Sequence, residues 1–193
     1  MSYRADRFTV VLDTNVLVGA LTRNIILSLA EAGIFRPRWS SQTIDDEFVR
    51  VFERLYPEQA HIAAKQRAAI VAAFPEATAE VESCIVEGLK LPDPEDRHVL
   101  ACAIKTKASL IVTDNLKDFP SGCLTQHEVE AISADDFIAD CIDLVGPEAV
   151  AVLRTMRERL KKPEIDAEGL LVRIEQIGLT QTALLLAPYK ALL

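Results

Sequence analysis

Residues 1 to about 145 read as an α/β domain on a mainly parallel sheet, and three observations predict it. Phe8-Thr9-Val10-Val11-Leu12 and Leu110-Ile111-Val112-Thr113 are short apolar runs without alternation, the pattern of strands buried on both faces. Segments of helical periodicity separate such runs, as in a chain that alternates strand and helix. Each run also stops at small polar or acidic residues, Asp13-Thr14-Asn15 in one case and Asp114-Asn115 in the other. Those stops mark the C-terminal edge of a parallel sheet, where open α/β folds bind ligands.

The elements follow in order. After Asp13, residues 17–21 and 25–32 read as helix, with Asn24 as N-cap and Gly33 as the residue that ends it. Phe35 to Trp39 reads as a second strand. Ser40 or Ser41 then caps a helix whose apolar stripe is Ile44, Phe48, Val51 and Leu55. Glu47 lies three residues from Ile44 and four from Val51, on that inward side, whereas Asp45 and Asp46 fall outside it and read as solvated. An inward carboxylate needs a partner, because an unpaired buried charge is costly. An Ala-rich helix spans 58–74, and Thr78 to Gly88 has no clear pattern. Asp93 reads as an N-cap, with Pro94 at the first helical position and Asp96 in the first turn. Asp96, Val99, Leu100, Ala103 and Lys107 share one face, which puts Asp96 inward. His98 reads as a packing or surface residue. Ser133 and Asp136 open a helix to about Val145, and Gly146-Pro147 is a break. The periodicity then predicts helices over 147–161, 166–177 and 180–187. The expected division is therefore 1–145 as the α/β domain and 146–193 as a C-terminal helical extension.

The chain has 193 residues, half of them hydrophobic, and a net charge of −8. The acidity is shared along the sequence. On charge alone a nucleic-acid substrate is disfavoured, because phosphate neutralisation drives such binding. A carboxylate-bound divalent cation would reverse the local sign. The four cysteines, Cys84, Cys102, Cys123 and Cys141, form no C-x-x-C pair and read as reduced, mostly buried thiols of a cytoplasmic protein. No signal peptide is expected from the first twenty residues, and no apolar run approaches the roughly 20 residues of a membrane span.

Asp13, Glu47, Asp96 and the Asp114/Asp118 turn are thus all expected at one sheet edge. Converging carboxylates repel one another and lose solvation, which raises their pKa values. A hard divalent cation such as Mg²⁺ removes that penalty, takes oxygen ligands, and can activate water for displacement at phosphorus. His61, His98 and His127 form no zinc spacing. Walker A, G-x-S-x-G and G-x-G-x-x-G motifs are absent, so the chemistries they carry have no support.

Four segments carry a resemblance: VVLDTNVLV at 10–18, SSQTIDDE ending at Glu47, PDPEDRHVLACAI at 92–104 and VTDNLKDFP at 112–120. In order and spacing they resemble the motifs of the PIN domain, most closely in bacterial VapC-type toxins, over about residues 8–145. The tail after 146 resembles a C-terminal segment of one subgroup. The resemblance implies a PIN-like three-layer α/β fold and a Mg²⁺- or Mn²⁺-dependent endoribonuclease. It implies an RNA substrate and a cognate antitoxin that holds the enzyme inactive. It also implies attack on the phosphodiester by metal-activated water, leaving 5′-phosphate and 3′-hydroxyl ends. Asp13, Glu47 and Asp96 match the first three acidic positions. Asp118 matches the fourth, with Asn115 as polar support, and Asp114 stays open between turn residue and ligand. Read from the residues, Thr14 and Asn15 are open between orienting Asp13, touching phosphate and capping the next helix, and Asp93 would support the site mainly as a cap.

Other readings compete. A haloacid-dehalogenase-type phosphatase also places an Asp after its first strand, and Asp114/Asp118 fit its D-x-x-x-D pair. It wants a second acid two residues after the nucleophile, where Asn15 stands, and Asn15 cannot serve as a general acid. A non-catalytic RNA- or partner-binding module has no physical reason to keep the repulsive acidic set. Arg154, Arg157, Arg159, Lys161 and Lys162 gather toward a helix C-terminus, where they complement its dipole; contact with RNA is their functional reading. The apolar positions of the tail, Leu170, Leu171, Ile174 and Leu184 to Leu186, suit packing on the α/β domain, a homodimer contact or a seat for the antitoxin.

Overall fold

A computed structural model of the chain describes residues 8–161 and 163–193. Among these residues five strands form one sheet, all parallel, in the order β3-β2-β1-β4-β5. They are β1 (Thr9–Leu12), β2 (Arg36–Ser40), β3 (Thr78–Ala79), β4 (Leu110–Val112) and β5 (Glu130–Ile132). The helices are α1 (Thr14–Val18), α2 (Ala20–Glu31), α3 (Phe48–Leu55), α4 (Ala63–Ala73), α5 (Ser83–Gly88), α6 (Arg97–Thr106), α7 (Ser121–Leu124), α8 (Ala134–Arg159), α9 (Ala167–Gln176) and α10 (Thr180–Leu186). This is the expected α/β class with a helical C-terminal region. Contacts divide the chain into two compact units. One joins the residues up to Gly19 with Phe35–Ile132, and the other joins Ala20–Ile34 with Ser133–Leu193.

In the first unit, β1 is central, and Val10, Val11 and Leu12 are fully buried. That burial is why its sequence shows no alternation. The chain leaves β1 toward β2 on one side and returns to β4 on the other, so the switch in strand order falls between β1 and β4. Pro37 sits inside β2. The Arg36 N–H bonds Phe8 of the β1 segment and the Trp39 N–H bonds Ala77 on the opposite side. Pro37 therefore faces the β3 side, beyond the end of the two-residue β3, where no ladder donor is needed. Val99, Leu100, Ala101, Cys102 and Ala103 of α6 are buried in one cluster with Val11 and Ile111. Full burial of a Leu or Val side chain is worth about 1.5–3 kcal/mol, so α6 is firmly seated on β1 and β4. A left-handed Lys107 (φ 55°) closes α6, and the Ala108 N–H bonds the Ala103 carbonyl. Three residues then lead straight into β4.

Several local expectations need correction. Helix α2 starts at Ala20, so Asn24 lies inside it and caps nothing; Gly33 does adopt positive φ (76°) after its end. The buried stripe of the α3 segment is Ile44, Phe48 and Phe52, while Leu55 is exposed. A six-residue π-helical turn, Gln42–Glu47, precedes α3 and shifts the register of the stripe. The expected 58–74 helix divides into a 3₁₀ turn, Pro57–Ile62, and α4. Strands β3 and β5 had no sequence signal. Of the cysteines, Cys102 and Cys141 are buried and Cys84 is exposed; burial pushes the two buried thiols up to about 12.

In the second unit, α8 is assigned as one helix across Gly146-Pro147. Non-helical angles at Gly146 (φ 18°, ψ −91°) kink it there, at the Gly-Pro break read from the sequence. The Ser133 hydroxyl accepts the Asp136 N–H at 3.1 Å, as the capping reading requires. Asp135 caps a different helix. Its carboxylate accepts the N–H groups of Gln181 and Thr182 of α10, each at 2.8 Å. We predict that Asp135→Ala costs about 1 kcal/mol and speeds amide hydrogen exchange at Gln181 and Thr182. Unchanged exchange at those two amides would contradict it.

Candidate active site

The site is built where β1 and β4 end. The Asp13 N–H bonds the carbonyl of Val112, the last residue of β4, at 3.1 Å, which carries the pairing one residue past the end of β1. Asp13 is 5% exposed. Its Oδ1 accepts the Thr14 N–H at 2.6 Å, and its Oδ2 accepts Asn15 Nδ2 and the Thr113 hydroxyl, each at 2.7 Å. Thr113, fully buried, also accepts from Asn15 Nδ2 (2.9 Å) and from the Asn115 N–H (3.0 Å). One hydroxyl thus fastens the β1 turn to the β4 turn. Burial raises the Asp13 pKa most, the Thr113 and Thr14 hydrogen bonds oppose it, and nearby Glu47 raises it further; the net direction is up.

Glu47 ends the π-helical turn and is 8% exposed. Its Oε2 accepts the Thr14 hydroxyl at 2.6 Å and its Oε1 lies 3.2 Å from His98 Nε2. The exposed Arg50 guanidinium approaches to 3.8 Å. Burial would raise the Glu47 pKa, but the His98 and Thr14 hydrogen bonds and the charges of His98 and Arg50 outweigh it, and the net direction is down. This corrects the expectation that all converging carboxylates are raised: Glu47 has partners that favour its ionised form.

Asp93, Asp96 and Asp118 form a tighter group, with one carboxylate oxygen from each lying within 4.8 Å of the others. Asp93 also caps, accepting the Glu95 N–H at 2.9 Å before the 3₁₀ turn Pro94–Asp96. Asp118 ends the 3₁₀ turn Leu116–Asp118, and Asn115 Nδ2 donates to its Oδ2. Asp96 Oδ2 is buried with no hydrogen-bond partner among the described residues. Desolvation raises the Asp96 pKa to about 7, with Asp13, Asp93, Asp118 and Glu47 adding repulsion. An orphaned buried carboxylate oxygen facing two more carboxylates is an oxygen donor set suited to a hard divalent cation.

The structure therefore brings Asp13, Glu47, Asp96 and Asp118 into one electrostatic neighbourhood, together with Asp93. Asp114 is exposed and outside the close group; its N–H bonds Asn15 Oδ1 at 3.2 Å. Asn115 and Thr14 stand as orienting groups. The basic cluster lies in the second unit, and its members have local work. Arg157 donates to the main-chain oxygens of Leu193 and Ile165, Arg154 to Glu158 and Arg159 to Glu31. Lys161 lies 4.0 Å from Glu164, and Lys162 is outside the described residues. Sequence reasoning passed over three residues, Thr113, His98 and Ser40. The signals were present: a hydroxyl ending an apolar strand, and a lone imidazole two residues past an inward Asp in an apolar helix.

A parallel α/β sheet with a cluster of carboxylates at its switch point defines the class: an α/β fold whose strand ends offer an oxygen donor set to a hard cation. The chain belongs to the PIN domain family, whose model, described as "PIN domain", matches residues 9–117. A second model, described as "VapC50 C-terminal domain", matches residues 134–188. Asp13, Glu47, Asp93 and Asp96 lie inside the first match, and Asp118 is the residue just beyond it. A curated relative from Mycobacterium tuberculosis (strain ATCC 25618 / H37Rv), named "Putative ribonuclease VapC50", is 39% identical over 77 residues. That match covers 40% of this chain and 46% of the relative, so the chain spans about half the length of the curated relative it matches. No solved structure matches.

The raised Asp96 pKa makes a stability prediction for the metal-free protein. A carboxyl raised in the folded state stabilises the fold while protonated. Its contribution is complete below its ordinary value of 3.8 and is lost as pH rises through about 7. Asn at this position is neutral throughout and suffers no such loss. In EDTA, the Tm advantage of Asp96→Asn over the parent should therefore widen from about pH 4 to about pH 7.5. A difference that stays flat would show that the shift is wrong.

Proposed function

We propose that this chain is a divalent-cation-dependent endoribonuclease and the toxin of a toxin–antitoxin pair. The observation that carries the reading is the partnerless, buried Asp96 Oδ2 beside Asp93 and Asp118, at the strand ends that hold Asp13. The PIN domain match and the ribonuclease named among its relatives support it. Asp13, Asp96 and Asp118 would hold the cation, Mg²⁺ or Mn²⁺, with Asp93 and Glu47 alongside. When bound, such a cation lowers the pKa of water and neutralises charge on the phosphate.

The chain's own residues do the rest. Thr113 and Asn15 fix Asp13 in one orientation. Asn115 holds the Asp118 carboxylate. Glu47 stays ionised and presents a fixed acceptor that orients a proton donor such as water. Asn15 engages Asp13, Thr113 and the Asp114 N–H through its amide. That leaves it an orienting group and removes the general acid that a dehalogenase-type phosphatase needs. An inactive binding module has no use for a carboxylate raised to about 7.

The antitoxin would be a protein that covers this edge or the C-terminal helices, where Val172, Ile177 and Leu184 are exposed. Those apolar residues would equally serve a homodimer. We place the start of the helical extension at the Gly146 kink. As the toxin of such a pair it would act in the cytoplasm, where its RNA substrate lies. No helix of the described residues is long and apolar enough to cross a membrane.

The test is purification with and without the neighbouring gene's product, followed by RNA cleavage and mapping of 5′ ends. EDTA should abolish cleavage, and Mn²⁺ or Mg²⁺ should restore it. Asp13→Asn and Asp96→Asn should each lower kcat by about 10²–10⁴-fold, while Asp114→Asn cleaves at close to the parent rate. Full activity in the first two variants would refute the site. Phosphate release from small monoesters with no RNA cleavage would favour the phosphatase.

A further inference from the structure

Among the buried polar side chains to which the nuclease reading gives no task, His98 lies nearest the acidic site in sequence. His98 is 2% exposed and sits in α6 two residues past Asp96. Both ring nitrogens are engaged: Nδ1 lies 2.7 Å from Ser40 Oγ, and Nε2 lies 3.2 Å from Glu47 Oε1. Ser40 ends β2 and Glu47 ends the π-helical turn Gln42–Glu47. A single imidazole therefore bridges the entry and the exit of that turn.

The proton positions follow from the partners. An ionised Glu47 only accepts, so Nε2 carries a proton. In the neutral ring Nδ1 then accepts, and Ser40 is the donor. Ser40 Oγ is itself aimed by the Thr43 N–H, which it accepts at 3.0 Å. The other Glu47 oxygen takes the Thr14 hydroxyl at 2.6 Å. Glu47 is thus gripped from α6 on one side and from α1 on the other. A glutamate has several rotatable bonds, and a π-helical turn is a sparsely used conformation, frequent at functional sites. Without the bridge, Glu47 keeps the Thr14 hydroxyl on one oxygen and loses the close donor on the other.

We propose that His98, aligned by Ser40, is a positioning residue that clamps the Glu47 carboxylate in one orientation beside Asp96. It touches neither substrate nor cation, and the proposal rests on the nuclease reading. Partners of this kind, one shell removed from a metal ligand, typically contribute 10–100-fold in activity or metal affinity.

The experiment compares His98→Leu, which fills the space without donors, with His98→Gln, whose amide can replace the Nε2 donor. His98→Leu should lower kcat by about 10–100-fold and weaken Mn²⁺ binding by a similar factor, with KM for RNA little changed. His98→Gln should recover most of both. In a Glu47→Ala background, His98→Leu should cost nothing further, because its partner is gone. Parental kcat and Mn²⁺ affinity in His98→Leu, full additivity with Glu47→Ala, or a Gln variant no better than Leu would each overturn the clamp. If His98→Leu does not fold, Ser40→Ala against His98→Gln carries the same comparison. The serine variant should lose several-fold in kcat, and parental kcat there would count against the proposal. If the parent itself neither cleaves RNA nor binds Mn²⁺, the nuclease reading fails. Crystal structures of the parent and His98→Leu then decide the clamp alone, with Glu47 rotated away from Thr14 expected and an unmoved Glu47 overturning it.

Discussion

Repulsion among carboxylates at one sheet edge is the constraint around which the first unit is arranged. Asp13, Glu47, Asp93, Asp96 and Asp118 meet there, and an apolar core on its own would push them apart or force them to protonate. The chain answers with hydrogen-bond donors placed one at a time. Thr113 fastens Asp13 across the β1–β4 junction, Asn115 holds Asp118, and His98 with Thr14 holds Glu47. Asp96 is the exception. It receives the repulsion of the others and has one oxygen with no donor among the described residues. Each of the other members takes at least one hydrogen bond from the chain.

The scaffold makes that arrangement reproducible. The parallel pairing of β1 with β4 continues through the Asp13 N–H, so two turns 100 residues apart hold a fixed spacing. Helix α6 is buried along most of its length and ends in a tight left-handed turn before β4. Asp96 at its start and Asp118 after β4 are therefore set by one rigid excursion of the chain. The π-helical turn before α3 does the same for Glu47, at the cost of an unusual backbone.

What could be read in the sequence follows from how local each signal is. β1, β4 and α6 were legible because their apolar patterns are long enough to show period and burial. The acids after them were legible because strand ends of an α/β sheet are where chemistry collects. β3 and β5 were not, since two or three residues such as Thr78-Ala79 carry no periodicity and exist through pairing alone. The π-helical turn was hidden for a related reason. It adds a residue to a helix without changing composition, so the stripe appeared to run to Leu55 when it ends at Phe52. His98, Ser40 and Thr113 act through partners 51 to 100 positions away, and a single sequence does not display such pairs. Asp93 showed its cap role in sequence, but its nearness to Asp118 depends on tertiary structure.

If Asp96 is left for a cation, anomalous diffraction from crystals soaked in Mn²⁺ will show a peak within bonding distance of Asp96 and Asp118, with Asp13 on its other side. A cation bound elsewhere on the surface, with Asp96 unliganded at saturating Mn²⁺, would contradict it.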